Sequence, residues 1–273
     1  MAAPRLRFLE AVPPANVRPR GALILLHAFP LNAHMWERQL ALASHGWRIL
    51  APHYRGIDAP GSQTREPGSG GPLATTVDDQ AADVIDLLDS LHIEDAVIGG
   101  LSMGGYVAFA MFRRAPTYFR GLVLADTRSQ ADTPEGREAR TKMLDLVHAR
   151  GPEAIADDML PKLLGATTLA TRSAIAAEVR SMILSNTSEW IASAIRVLMS
   201  RPDSTPVLKS IRVPTLIIVG EEDILTPVST AEDMHSRIAG SDLVRIPAAG
   251  HLPNLEQPEA FDAALARFLD HRV

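Results

Sequence analysis

The groups in this chain whose types and spacing suit nucleophilic chemistry are one serine, one histidine and one aspartate, far apart in sequence. Ser102 lies in AVIGGLSMGGYVAFAMF (96–112), between two glycine pairs and with almost nothing else polar nearby. Gly100-Leu101-Ser102-Met103-Gly104 has the spacing G-x-S-x-G, and it joins an apolar run to a helical one. At a sharp strand-to-helix turn a side chain at either flanking position would collide with its surroundings, so the glycines serve to expose the hydroxyl. A serine hydroxyl is a weak nucleophile and needs a base. Among nine histidines His251 is the one placed for that role, in the loop of PAAGHLPNLEQPEAF before the last helix. His27 reads as a buttress for the loop after it; His34, His45, His53, His92, His148, His235 and His271 read as surface or packing residues. The imidazole in turn needs an acid to fix its tautomer and stabilise its charged form. Asp223, at the end of TLIIVGEED, leaves a strand on the edge where Ser102 sits. Asp126, closing GLVLAD, does the same and competes with it, whereas Glu221 and Glu222 read as solvated turn residues. Asp223 is preferred, and the order Ser, Asp, His differs from the trypsin-like and subtilisin-like orders.

Such residues meet only if strand ends share one edge, and the sequence supplies strands of the right kind. GALILLHAF (21–29) and WRILAP (47–52) are apolar runs suited to strands buried on both faces. Between them, 32–46 has apolar spacing for a short helix ending at Gly46. A helix over 77–91 carries apolar residues on one face and aspartates on the other; the strand DAVIGG, the helix GYVAFAMFRRAP and the strand RGLVLADT follow. This is repeated βαβ construction, an α/β fold with a mostly parallel, doubly wound sheet. From 131 to 205 strands vanish and four amphipathic helices follow one another, an inserted helical cap. Thr133-Pro134 marks the start of the first, and Asn186 with Glu189 resembles a capping box for the last. Alternation resumes with VPTLIIVGEED, a helix over 230–238, the strand DLVRIP and a helix over 258–269. The expected division is core 1–130, cap 131–205 and core 206–273, with 58–72 as a surface loop rich in Gly, Pro and Ser.

Composition narrows the chemistry. A hydrophobic content of 46% over 273 residues is enough for one sizeable core. With 27 Lys+Arg against 32 Asp+Glu, a net charge of −5 and no basic run, neither nucleic acid nor an anionic membrane is an expected partner. The absence of cysteine removes disulfides, thiolate catalysis and cysteine-held metal. There is no H-E-x-x-H or H-x-H-x-D-H cluster, so no metal and no cofactor is expected. No signal peptide or apolar span of about 20 residues is visible, which makes a cytoplasmic protein the expectation.

LLHAFPLNAHMW, GGLSMGGYVAFA, VGEEDILTP and AAGHLPNLEQPEAF together resemble the α/β-hydrolase superfamily, in particular its cap-bearing serine carboxylesterases and 3-oxoadipate enol-lactonase-like members. The resemblance spans nearly the whole chain apart from the cap. It implies an oxyanion hole made by the backbone N–H groups of Phe29 and Met103, with Ala28 where that family usually has glycine and His53 where it usually has aspartate. It also implies cleavage of carboxylic esters with small to medium acyl chains through an acyl-enzyme. A lactonase, a thioesterase or a cofactor-free perhydrolase would use the same triad, and a slow-turnover ligand sensor on the same fold is the alternative from another class. A serine nucleophile argues against haloalkane dehalogenase and epoxide hydrolase chemistry. The expected acyl pocket takes Met159, Leu160, Leu163 and Trp190 from the cap and Phe29 and Leu225 from the sheet edge. A dicarboxylate lactone would need a cation there, from Arg128, Arg172, Arg180 or Arg196.

Overall fold

The computed structural model describes residues 6–57 and 72–273. The expected loop at 58–72 therefore lies, but for its last residue, outside the described residues.

Seven strands form one sheet in the order β1-β3-β2-β4-β5-β6-β7. They are β1 (Phe8–Ala11), β2 (Gly21–Leu26), β3 (Trp47–Pro52), β4 (Ala96–Leu101), β5 (Phe119–Ala125), β6 (Thr215–Gly220) and β7 (Asp242–Ile246). All pairings are parallel except that of β1, which runs antiparallel to β3 from Phe8 opposite Pro52 to Ala11 opposite Ile49. The central strands β2 and β4 are apolar and almost wholly buried, as strands covered on both faces must be. The edge strands β1 and β7 keep partly exposed residues. Strand β1 was not expected. At four residues, FLEA is too short to show a period, and only its pairing with β3 defines it.

From β2 the chain steps to β3 on one side, then returns to β4 on the other side of β2. That reversal is a switch point, where a crevice opens beyond the carboxyl ends of the two strands. The loop after β2 and the turn after β4 both lie there. Strand β2 stops at Leu26, so His27, Ala28 and Phe29 belong to that loop and not to a strand reaching 29.

Helix α1 (Val77–Ser90) packs on α2 (Met103–Arg114), and α2 on β2, β4 and β5. The segment 33–45 forms two 3₁₀ stretches, Ala33–Trp36 and Arg38–His45, in place of one α-helix, and Gly46 closes it at φ 91. Between β5 and β6 come α3 (Pro134–Leu163), α4 (Ala166–Thr171), α5 (Ser173–Leu184), α6 (Ser188–Ser200) and the short α7 (Thr205–Leu208). The first two expected helices of this segment are run together as α3 across a kink at Gly151, which sits at φ 72 just before Pro152. Helix α6 is capped by Thr187, whose hydroxyl accepts from Trp190 N–H. Asn186 does not cap it; it is buried and donates to the Pro30 carbonyl oxygen, tying this segment to the loop after β2. After β6 follow α8 (Val228–Arg237), α9 (Pro253–Glu256) and α10 (Pro258–His271), with α8 and α10 packed on β6 and β7. No helix among the described residues is long and apolar enough to cross a membrane.

Candidate active site

Ser102 occupies the single residue between β4 and α2, at φ 54 and ψ −112. A non-glycine residue held there stores strain of about 1–3 kcal/mol, so its surroundings must enforce it. They do so from three sides. The Ser102 N–H donates to the Ala125 carbonyl (2.9 Å), while its carbonyl accepts from Gly105 N–H (2.9 Å) and from the Thr127 hydroxyl (2.8 Å). A Cβ at Gly100 would overlap the backbone of Gly104, one at Gly104 the Leu26 carbonyl oxygen, and one at Gly105 the Thr127 side chain. Bare glycines thus let the start of α2 lie against the end of β2. The Ser102 hydroxyl makes no hydrogen bond among the described residues and faces a cleft of about 280 Å³.

His251 lines the same cleft. Its Nδ1 donates to Asp223 Oδ2 at 2.8 Å, and both side chains are almost fully buried. Asp223 follows β6, held by donors from its own turn. Its Oδ1 accepts from Leu225 N–H (2.7 Å) and Thr226 N–H (3.0 Å), and its Oδ2 also accepts from the Thr226 hydroxyl. Burial alone would raise the Asp223 carboxyl, but the facing His251 charge, its hydrogen bond and the Thr226 donors outweigh that and hold the group well below the usual carboxylate range. Because a carboxylate oxygen can only accept, this hydrogen bond places a proton on His251 Nδ1, and in the neutral imidazole Nε2 is then the acceptor.

Asp126 has a different environment. It is completely buried after β5, at φ 42, with Oδ1 accepting from Gly220 N–H (2.8 Å) and Oδ2 unpartnered among the described residues. Burial first, and then the Asp223 charge, push its carboxyl well above the usual range. Ligating atoms of Asp126, Asp223 and His251 lie within 4.8 Å of one another, close enough for a metal ion. The donor set does not fit one: both Asp223 oxygens are already engaged by four donors, and the His251 nitrogen concerned is the one bonded to Asp223 Oδ2.

The loop carrying His251 is anchored by the fully buried Glu256. Its Oε1 accepts from Gly250 N–H (2.8 Å) and Leu252 N–H (3.2 Å), and its Oε2 accepts from Gly165 N–H (2.8 Å) in the helical segment. His251 N–H itself donates to the Leu163 carbonyl at 3.1 Å. Sequence reasoning missed Glu256; an acid five residues after the histidine was the available signal.

Phe29 lines the cleft and Met103 is the first residue of α2; neither backbone N–H is engaged among the described residues. The first N–H groups of a helix lack intrahelical acceptors, so Met103 has one free for a ligand. Behind Phe29, His27 donates from Nδ1 to the Ala28 carbonyl (3.1 Å) and accepts the Tyr54 N–H at Nε2 (3.4 Å). Burial lowers its pKa to about 3, with His53 adding to the effect, so it is a neutral strut. His53 is likewise buried, accepts Ala33 N–H at Nδ1 (3.4 Å), and is lowered to about 4 by burial, with further repulsion from His34 and Arg7.

Of the residues expected in the acyl pocket, Met159, Phe29 and Leu225 line the cleft, but Trp190, Leu160 and Leu163 do not. Trp190 is turned inward near the His27 ring (centroids 6.0 Å apart), and Leu163 is fully buried and meets the site only through its carbonyl. Of the four expected arginines only Arg128 lines the cleft. Arg172 donates to the Glu256 carbonyl, Arg180 pairs with Asp157 at the surface and Arg196 is exposed. Arg140, Lys162 and Arg201 were not foreseen as lining residues.

A doubly wound sheet of this strand order, with a strained serine between a central strand and its helix, is the layout of an α/β hydrolytic enzyme. The chain belongs to the alpha/beta hydrolase family, whose model matches residues 23–264. Its fold superposes on a malate-bound thermophilic esterase from Thermogutta terrifontis with a TM-score of 0.86, at 35% identity over 97% of this chain and 93% of that one. The enol-lactonase from Burkholderia xenovorans LB400 gives a TM-score of 0.83 at 26% identity, covering 97% of this chain and 96% of its own. Among curated relatives, 3-oxoadipate enol-lactonase 2 of Acinetobacter baylyi is 28% identical over 246 residues, 90% of this chain and 87% of that protein.

Proposed function

We propose that this chain is a cofactor-independent hydrolase of small-molecule carboxylic esters or lactones, with Ser102 as nucleophile, His251 as general base and Asp223 as the acid that orients it. The observation that carries it is the buried 2.8 Å His251–Asp223 pair beside a serine whose strained backbone turns a free hydroxyl into the same cleft. His251 Nε2 takes the Ser102 proton as Oγ bonds to the ester carbonyl carbon, and negative charge moves to the carbonyl oxygen. The free N–H groups of Phe29 and Met103 receive that charge. Collapse of the tetrahedral species breaks the bond to the alcohol oxygen, which leaves with the proton from His251. Water then loses a proton to His251 as it attacks the acyl-enzyme, and the carboxylic acid departs with Ser102 regenerated. The helices of 131–205 act as a cap that supplies one wall of the cleft through Met143 and Met159, and about 280 Å³ suits acyl groups of small to medium size. Similarity to an esterase and to enol-lactonases supports acyl transfer to water.

The test is turnover of p-nitrophenyl acetate and butyrate together with labelling by an organophosphonate. The wild type is expected to turn over many times and to carry one adduct on Ser102, and Ser102→Ala to lose both while keeping its thermal transition. Single-turnover acylation would favour a ligand sensor; an adduct on another serine would refute the nucleophile.

A further inference from the structure

Of the two glutamates expected to be solvated in the turn after β6, Glu221 is exposed, but Glu222 is half-buried and both its oxygens are engaged. Its Oε2 accepts Thr167 N–H at 2.8 Å and its Oε1 accepts the Thr167 hydroxyl at 2.5 Å, at the start of α4 in the helical cap. Its own N–H donates to the Ala249 carbonyl (2.8 Å), two residues before His251, and the next residue in the chain is Asp223. One residue thus touches the cap, the loop of the base and the turn of the acid.

These three segments meet backbone to backbone. A Cβ on Gly250 would come within 2.3 Å of Gly165 N, and one on Gly220 within 2.0 Å of the Gly250 carbonyl oxygen. One on Gly165 would meet Gly250 N at 2.8 Å and displace the Glu222 carboxylate. No side chain therefore separates the cap segment 163–167 from the His251 loop, or that loop from the end of β6. Across the seam, His251 N–H donates to the Leu163 carbonyl and Gly165 N–H to Glu256 Oε2. Glu256 secures the middle of the segment and Glu222 its far end, each through a carboxylate accepting from backbone N–H, the stronger kind of hydrogen bond. At its near end the segment continues from the last turns of α3, where Met159 and Lys162 line the reaction cleft. The His251 loop is thus held between the sheet and a part of the cap that borders the substrate, and a slip at the seam would move Nε2 relative to Ser102.

We propose that Glu222 is a positioning residue for the catalytic base: by fastening Thr167 to the turn that carries Asp223, it holds the 163–167 segment against the His251 loop, so that the cap sets the place of His251 as well as covering the substrate. This rests on the assignment of Ser102, His251 and Asp223 above.

The experiment measures kcat and KM on p-nitrophenyl butyrate for Glu222→Ala, Glu222→Gln, Thr167→Val and the double variant Glu222→Ala/Thr167→Val. Arg180→Gln, which breaks a surface ion pair elsewhere in the cap, is the control and should match the wild type. Glu222→Ala should lower kcat about tenfold, inside the roughly 10²-fold that a 1 Å misplacement costs, with KM within about twofold of wild type. Glu222→Gln, which keeps an oxygen for Thr167, should recover most of the loss. The double variant should be no slower than Glu222→Ala, because the two side chains form one contact. The base itself is read by the far-downfield proton resonance of His251 Nδ1–H, which should be shifted or lost in Glu222→Ala and unchanged in Arg180→Gln. A rise in KM at wild-type kcat would overturn the inference by placing Glu222 in substrate binding; so would additive losses in the double variant, or a wild-type resonance in Glu222→Ala. If Glu222→Ala does not fold, Thr167→Val, which removes one hydroxyl donor, should still lower kcat about threefold, and an unchanged kcat there refutes the proposal. If the wild type turns over no ester, the assignment of Ser102 fails and the resonance alone decides the role of Glu222: its loss in Glu222→Ala supports the positioning role and its persistence refutes it.

Discussion

Replacing Asp223 by asparagine separates its role from that of Asp126 with almost no change of volume. Asp223 receives four donors, two backbone N–H groups on Oδ1 and the Thr226 hydroxyl and His251 Nδ1 on Oδ2. An asparagine keeps only one acceptor oxygen. If that oxygen stays on the Leu225 and Thr226 N–H groups, the amide NH₂ faces His251 Nδ1, which must then be an acceptor. The proton moves to Nε2, the nitrogen that should take the Ser102 proton. Turning the amide over restores the His251 contact only by setting NH₂ against two backbone donors, which loses two hydrogen bonds of about 1 kcal/mol each. Wrong-tautomer imidazole lowers kcat by about 10⁴, or about 5.5 kcal/mol in the barrier. Asp126 accepts a single hydrogen bond, from Gly220 N–H, and Asp126→Asn keeps an oxygen for it, so kcat should stay within about tenfold of wild type. The assay is kcat on p-nitrophenyl butyrate from pH 5 to 9 for both variants, with near-ultraviolet circular dichroism as the check on folding. A larger loss in Asp126→Asn than in Asp223→Asn would refute the assignment of the acid.

The buried His53 should shape acid sensitivity. Its folded pKa of about 4 lies below its unfolded value, so the unfolded chain binds a proton first and stability falls as pH drops from about 6.5 towards 4. His53→Asn, which keeps an acceptor for Ala33 N–H, should flatten that slope by up to about 1.4 kcal/mol per pH unit in urea titrations; an unchanged slope would mean that His53 charges in place. Glu256→Ala leaves the N–H groups of Gly165, Gly250 and Leu252 without their acceptor, and is expected to cost about 3 kcal/mol or more and to lower kcat. Glu256→Gln should recover part of both, measured by chemical denaturation and steady-state turnover.

What could be read in advance depended on the range of the interaction. The turn at Ser102 is a local device: a strand, two glycines and a helix start lie within about ten residues, so their mutual crowding is written in adjacent letters. The central strands were visible because double burial demands a continuous apolar run, whereas β1 was invisible because it exists only through β3. Local chemistry also misled: Asn186 has the spacing of a cap, yet its amide was needed on the Pro30 carbonyl, and the neighbouring Thr187 took the role. The helix expected over 32–46 became 3₁₀ because its side chains answer to β3 and α10 more than to a helical period.

The choice between Asp223 and Asp126, and the charge of the cleft, belong to a different scale. Both aspartates end parallel strands on the same edge, and composition around them is similar; what divides them is the number of donors the fold directs at each. The turn after Asp223 curls back to offer two N–H groups and a hydroxyl, which stabilises a charge, while Asp126 receives one N–H in full burial, which does not. The cleft cations come from the loop after β5, from two places on the kinked α3, and from the end of α6, segments up to 73 residues apart from Arg128 to Arg201. Each looks in sequence like an ordinary solvated arginine or lysine, and the kink at Gly151 is what folds Arg140 and Lys162, on opposite halves of α3, onto one wall. A straight helix of that length would carry them apart, since residues 22 positions removed are about 33 Å distant along an unbroken α-helix. One glycine conformation in the helical segment thus brings two of the four cleft cations onto the same wall.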